Sequence, residues 1–228
     1  MIGKLHEPKG SACWQAALAS CAVAGLVLAG CGSDAPEAAG TSSTAPAPSA
    51  TRGASLDPQH PVIEIDSNLG AIRVRLDAVN ARGTVRNFLN YVNDGFYADT
   101  LFHYVAADKM IVGGGYSVDS QPKVAGSTVR NEAHNGLKNV RGTIAMARDA
   151  AAGIDSATSQ FFINLADAPT FDHRGEEADE YGYCVFGEVV GGLDVGEQFS
   201  RSATRDQGGE LAQSPVPPVV IKSIRVVE

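Results

Sequence analysis

Between Val62 and Asp77 apolar and polar residues alternate. Ile63 and Ile65 are interleaved with Glu64 and Asp66. After Asn68-Leu69-Gly70, Ile72, Val74 and Leu76 are interleaved with Arg73, Arg75 and Asp77. Successive side chains of a strand point to opposite faces, so this pattern predicts a hairpin with one face in a core and the other in water. Its register is strongly set, because a slip of one residue would bury both arginines. The period then changes. Val85, Phe88, Leu89 and Val92 recur at helical spacing, which predicts an amphipathic helix over residues 81–93, capped by Asn80 and ended by Asp94-Gly95.

Beyond this helix the pattern is of short apolar runs. Strands are expected at 101–105 and 110–112, before the glycines Gly113, Gly114 and Gly115, and again at 128–132, 143–147, 160–164 and 184–190. Residues 116–126 and 167–182 are polar and read as loops. A second short helix is expected over 193–200, anchored by Leu193, Val195 and Phe199. Pro217-Pro218 opens a last strand in which Val219, Ile221, Ile224 and Val226 face inward. Many short strands with two helices give an all-β fold, and pattern alone leaves barrel and sandwich open.

Composition changes this picture mainly at the N-terminus. The 228 residues are 44% hydrophobic and carry a net charge of -8, which argues against nucleic acid as a partner. Lys4, His6 and Lys9 precede an uncharged apolar run that ends Leu28-Ala29-Gly30-Cys31. This resembles a lipoprotein-type signal peptide over residues 1–30, with Cys31 as the lipidated first residue of an exported, membrane-anchored protein facing the periplasm or cell envelope. Residues 31–58 are rich in Ala, Pro, Ser and Thr and too poor in large apolar groups to fold. They read as a flexible tether with a span of roughly 28 Å. The folded domain is expected over residues 59–228. Of the four cysteines, Cys13 and Cys21 would leave with the signal and Cys31 would carry lipid. Cys184 would remain alone in an apolar strand, as a buried small side chain.

The candidate chemistry lies in residues 141–164, RGTIAMARDAAAGIDSATSQFFIN. On a strand Gln160 and Phe162 share one face and Phe161 takes the other, so an amide and a ring lie together while the core is fed from behind. Such a shallow apolar site with a polar rim suits a proline ring flanked by peptide groups. RGTIAMAR and DSATSQFFIN together resemble the signature region of the cyclophilin family of peptidyl-prolyl isomerases, and most closely its bacterial periplasmic branch. FHYV at 102–105, VGGG at 112–115, KNVRG at 138–142, FDH at 171–173 and VFGEVV at 185–190 follow the same family order. The resemblance implies a closed eight-stranded antiparallel β-barrel capped by two α-helices.

It also implies a site and an activity. Rotation about an X–Pro bond must break amide resonance, at about 18–20 kcal/mol. Catalysis requires a pocket for the ring, an anchor for the flanking peptide and a donor to the imide nitrogen in the twisted state, with no metal and no cofactor. The family pattern places the pocket at Met110, Phe162, Phe171 and Tyr183, with Ala147 and Arg148 along the neighbouring groove and Gln160 as the backbone anchor. Four positions depart. Tyr104 stands where the family has its donor arginine, Lys109 and Val112 replace a pocket aromatic and the glutamine that orients that arginine, and Thr170 replaces an aromatic. Tyr104 keeps one O–H but no charge. Lys109 reads either as a solvated lysine or as a replacement charge. Two functions fit. One is an isomerase with weakened catalysis that helps exported proteins fold, acting as a monomer on proline-containing unfolded or extended polypeptides. The other is an inert module of the same shape that binds proline-containing segments. His173 lacks a second histidine at ligand spacing, so the acidic loop at 167–182 reads as solvated surface and not as a metal site.

Overall fold

The structure of the chain is a computed structural model that describes residues 57–228. The expected signal segment, Cys31 and nearly all of the tether lie outside the described residues. The alternating segment forms its hairpin. β1 (Val62–Ser67) and β2 (Gly70–Leu76) pair antiparallel from Val62↔Arg75 to Ser67↔Gly70. Ile63, Ile65, Ile72, Val74 and Leu76 are fully buried. Arg73 and Arg75 stay outside and meet Glu64 and Glu188 at 3.3 and 3.1 Å. Each such exposed pair contributes at most about 1 kcal/mol. Burying one aliphatic side chain contributes about 1.5–3 kcal/mol, so the core face sets the register.

The other strands are β3 (Thr100–Ala106), β4 (Met110–Ser117), β5 (Thr143–Met146), β6 (Phe161–Asn164), β7 (Val185–Gly191), β8 (Ala203–Arg205), β9 (Ser214–Val216) and β10 (Val219–Val226). Eight of them close a barrel in the order β1-β10-β3-β4-β6-β5-β7-β2, every neighbouring pair antiparallel. β8 and β9 form a separate two-stranded ribbon. The pattern did not predict that ribbon, since three residues are too few to show a period. β4 runs on through all three glycines to Ser117, past the expected end at 112.

The two helices close the two ends of the barrel. α1 (Arg82–Asn93) buries Val85, Phe88 and Val92, and Phe88 meets Phe161 and Phe186 at ring separations of 5.6 and 5.2 Å. α2 (Leu193–Ser200) brings Gly196 over Ile72, Ile111 and Leu165, and Phe199 against Phe102 at 5.0 Å. Phe161 and Leu165 lie at opposite ends of β6, so the helices plug opposite openings. Among the described residues no helix is long and apolar enough to cross a membrane.

Two local expectations are corrected together. Asn80 does not cap α1. Its side chain donates to Asp77 instead, and the N-cap residue is Ala81, with no side-chain cap bond. The orphan N–H groups of Gly83 and Thr84 donate to the carboxylate of Glu132 at 3.0 and 2.9 Å, and the Thr84 hydroxyl adds a third bond at 2.8 Å. Residues 128–132, expected as a strand, are therefore an irregular segment. Val129 N–H donates to the Ala157 carbonyl and Asn131 N–H to Asp155, which leaves Glu132 free to reach the helix. A negative charge at a helix N-terminus is also favoured by the helix dipole. Glu132→Ala is expected to lower stability by about 1–2 kcal/mol in chemical denaturation, and Asn80→Ala by clearly less. The reverse order would return the cap to Asn80.

Candidate active site

One register across five strands builds the site. Tyr104 lies opposite Val112, Val112 opposite Phe162, Phe162 opposite Ala145, and Ala145 opposite Val185. This row faces outward. Val112, Ala145, Phe162 and Val185 form a second apolar cluster, apart from the barrel core, and Tyr104, Met110, Leu137, Ala147, Phe171 and Tyr183 pack on it. The adjacent row, Val105, Ile111, Ile163 and Ile144, points inward and is buried in the core, as is Phe161. Phe161 and Phe162 thus divide between the two faces as their alternation requires.

Three rings wall the recess. Phe162 meets Phe171 at 5.7 Å and Tyr183 at 5.6 Å, and Phe171 meets Tyr183 at 5.0 Å, all edge-on. Two of these rings come from the segment around the acidic loop, and the buried Asn139 holds them there. Its side-chain amide donates to the Phe171 carbonyl at 3.0 Å and the Tyr183 carbonyl at 3.3 Å, and its backbone N–H donates to Asp172 at 2.7 Å. Its oxygen accepts from Asn164 at 3.2 Å. Arg148, expected along the groove, also braces the loop. It donates to the carbonyls of Gly182 at 3.0 Å and Ala178 at 2.6 Å, and lies 5.1 Å from the Tyr183 ring. A hollow of about 410 Å³ shares Leu137 and Val185 with the recess and extends it toward Lys138 and Glu188.

The remaining expected residues lie close by. Gln160 immediately precedes β6, and its carbonyl accepts the Ala147 N–H at 2.9 Å. Lys109 is exposed in the β3–β4 turn beside Met110, and its carbonyl accepts the N–H of Leu165 at 2.8 Å. Tyr104 is half-buried at the end of the row. Val112 is 2% exposed, so the position implied for an orienting glutamine is apolar floor. Cys31 lies outside the described residues. Cys184 is buried, and burial pushes its thiol up to about 11, so it stays a neutral thiol.

Two features were not legible beforehand. His134 reaches within 6.3 Å of His173, ring to ring, and the Tyr181 ring lies 4.9 Å from His173. Among the described residues, however, no group of three or more His, Cys, Asp or Glu side chains could hold a metal ion. The second feature is His103, at the irregularity in β3 that turns Tyr104 outward. It is fully buried against Tyr116, with ring centroids 4.7 Å apart. Burial pushes its imidazole down to about 4, partly opposed by the Leu101 backbone.

That shift has a definite sign. The folded chain keeps His103 neutral down to about pH 4, whereas the unfolded chain takes up the proton near the ordinary value of 6.5. The contribution is present in full above pH 6.5 and is lost as pH falls toward 4, in total about 3 kcal/mol. Urea denaturation at pH 7 and pH 4 should therefore show a steeper loss in the wild type than in His103→Leu. Equal slopes in the two proteins would remove His103 as the cause.

Known proteins bear on the family of this chain. The sequence model described as "Cyclophilin type peptidyl-prolyl cis-trans isomerase/CLD" matches residues 62–226. The chain is 44% identical over 164 residues to peptidyl-prolyl cis-trans isomerase A of Dickeya dadantii, covering 72% of this chain and 83% of that one. It is 42% identical over 167 residues to isomerase B of Escherichia coli, covering 73% and 100%. Its fold matches a cyclophilin-type isomerase of Cryptosporidium parvum at TM-score 0.60 and 22% identity, over 74% of this chain and 98% of that one. The same parasite protein, crystallised in the presence of the dipeptide Ala-Pro, matches at 0.59 with 22% identity, over 73% and 99%. With the barrel, the outward aromatic row and these relatives in agreement, the chain belongs to the cyclophilin-type peptidyl-prolyl cis-trans isomerases.

Proposed function

We propose that this protein isomerises X–Pro bonds in unfolded or extended polypeptides, with catalysis weakened by Tyr104, as a monomer of the bacterial periplasmic branch. The observation that carries the reading is the recess of Met110, Phe162, Phe171 and Tyr183 beside Gln160. A proline ring fits among edge-on rings, and an amide beside it can hold the flanking peptide. Its apolar walls exclude water, which favours the less charge-separated twisted imide over the planar one. The remaining need is a donor to the imide nitrogen, and Tyr104 stands where the family carries arginine.

A neutral phenol is the weaker donor. Losing one transition-state donor costs on the order of 10²–10³ in rate. Val112 supports the view that the donor position changed as a unit, because an apolar floor beside Tyr104 could not orient a guanidinium. One observation, the missing arginine, favours a second reading as a binding module without turnover. Exchange NMR on an Ala-Pro peptide separates the two. The full-length wild type should catalyse slowly, and Tyr104→Arg should raise kcat/KM by at least about tenfold. Binding without exchange in the wild type would leave the binding module. No gain in Tyr104→Arg would show that residue 104 is not at the imide nitrogen.

The N-terminal pattern supports a lipid anchor on Cys31 and a tether that holds the domain near a membrane, where exported and envelope proteins fold. Cys31→Ser should abolish incorporation of labelled palmitate and move the protein to the soluble fraction. Unchanged labelling and fractionation would remove the anchor from this reading.

A further inference from the structure

Gln160 is held by a residue that no motif includes. Its Nε2 donates to Glu210 Oε2 at 3.1 Å, and the Tyr116 hydroxyl donates to the same oxygen at 2.9 Å. A carboxylate only accepts, so the NH₂ end of the amide faces Glu210 and Oε1 is turned away from it. The amide lies flat on β4. A Cβ added at Gly115 would sit 2.6 Å from its amide carbon, so only glycine leaves room for it there. Burial and the charge of Glu210 both push the Tyr116 phenol upward, so it stays a donor.

Glu210 sits in a 3-10 turn (Gly209–Leu211) between β8 and β9. That ribbon is fastened along β3 beside Tyr104. Val105 N–H donates to the Gln213 carbonyl at 3.0 Å, and the Ser214 hydroxyl donates to the His103 carbonyl at 3.0 Å. The ribbon therefore brings a half-buried negative charge against the peptide anchor, next to a position where the family's positive charge is missing.

Taking the recess as a proline-peptide groove, we propose that Glu210 is a positioning and specificity-determining residue. It turns Gln160 so that Oε1 accepts a substrate backbone N–H, and its charge selects substrates with Lys or Arg close to the proline. Glutamine at position 210 could still accept from Gln160 and Tyr116 but carries no charge, whereas alanine does neither. The two roles therefore separate.

The test measures kcat and KM of the full-length wild type, Glu210→Gln and Glu210→Ala on Lys-Ala-Pro-Phe and Glu-Ala-Pro-Phe peptides. Side-chain amide resonances of Gln160 are recorded alongside, assigned by a Gln160→Glu variant. The wild type should favour the lysine peptide by about three- to tenfold. Glu210→Gln should lose that preference while keeping its average KM and the Gln160 resonances. Glu210→Ala should raise KM for both peptides and move the resonances toward those of a free amide. A preference that survives in Glu210→Gln overturns the charge role. Gln160 resonances that do not move in Glu210→Ala overturn the positioning role. If the wild type neither turns over nor binds either peptide, the groove reading and the substrate preference both fail, and the resonances still decide whether Glu210 holds the amide.

Discussion

Strand alternation couples the core of this protein to its working surface. Across β4, β6 and β5, each residue that enters the barrel is followed by one that leaves it. Ile111, Phe161, Ile163 and Ile144 supply the interior, while Val112, Phe162 and Ala145 supply the recess floor. The two sets share one backbone register. A slip of a single residue would put Gln160 in the core and Phe161 in water. The buried aliphatic side chains that make the barrel stable therefore also place the recess floor.

This explains why so much was legible in the sequence. Period-two alternation at 62–77 and the opposed placing of Gln160, Phe161 and Phe162 reflect local geometry, which sequence carries directly. α2 likewise appears over Leu193–Ser200, as its three anchors suggest. Contacts between distant segments were not legible. Glu132 caps a helix 48 residues earlier, and Glu210 reaches Gln160 across 50 residues. In both cases a polar residue without any periodic context satisfies a group elsewhere, and nothing in its own neighbourhood marks it. His134 beside His173 is a third instance, since two loops distant in sequence meet there. Asn80 was misjudged for the opposite reason. It is a good local capper, but Asp77 engages it first.

The charges around the recess differ in kind from what the family pattern implies. The family pattern implies a cation and its orienting amide at the positions of Tyr104 and Val112, while Glu210 sets an anion beside Gln160. Arg148, which the motif suggested for the groove, donates through Nε and Nη2 to loop carbonyls and lies against the Tyr183 ring, so it helps to place that wall. Asn139 acts in the same way from within, through hydrogen bonds from its buried side chain to the carbonyls of Phe171 and Tyr183.

The barrel is sealed by its last strand. β10 lies between β1 and β3, and until it is in place each of those strands presents an open edge. The residues that pair, such as Ile63 with Val226, are about as far apart in sequence as the domain allows. Closure must therefore wait for nearly the whole chain to be available, and non-local pairing of this kind is slow. Glu64 and Asp66 on β1, with Arg73 and Arg75 opposite on β2, keep the outer face of that hairpin charged beside the edge where pairing with another chain would begin.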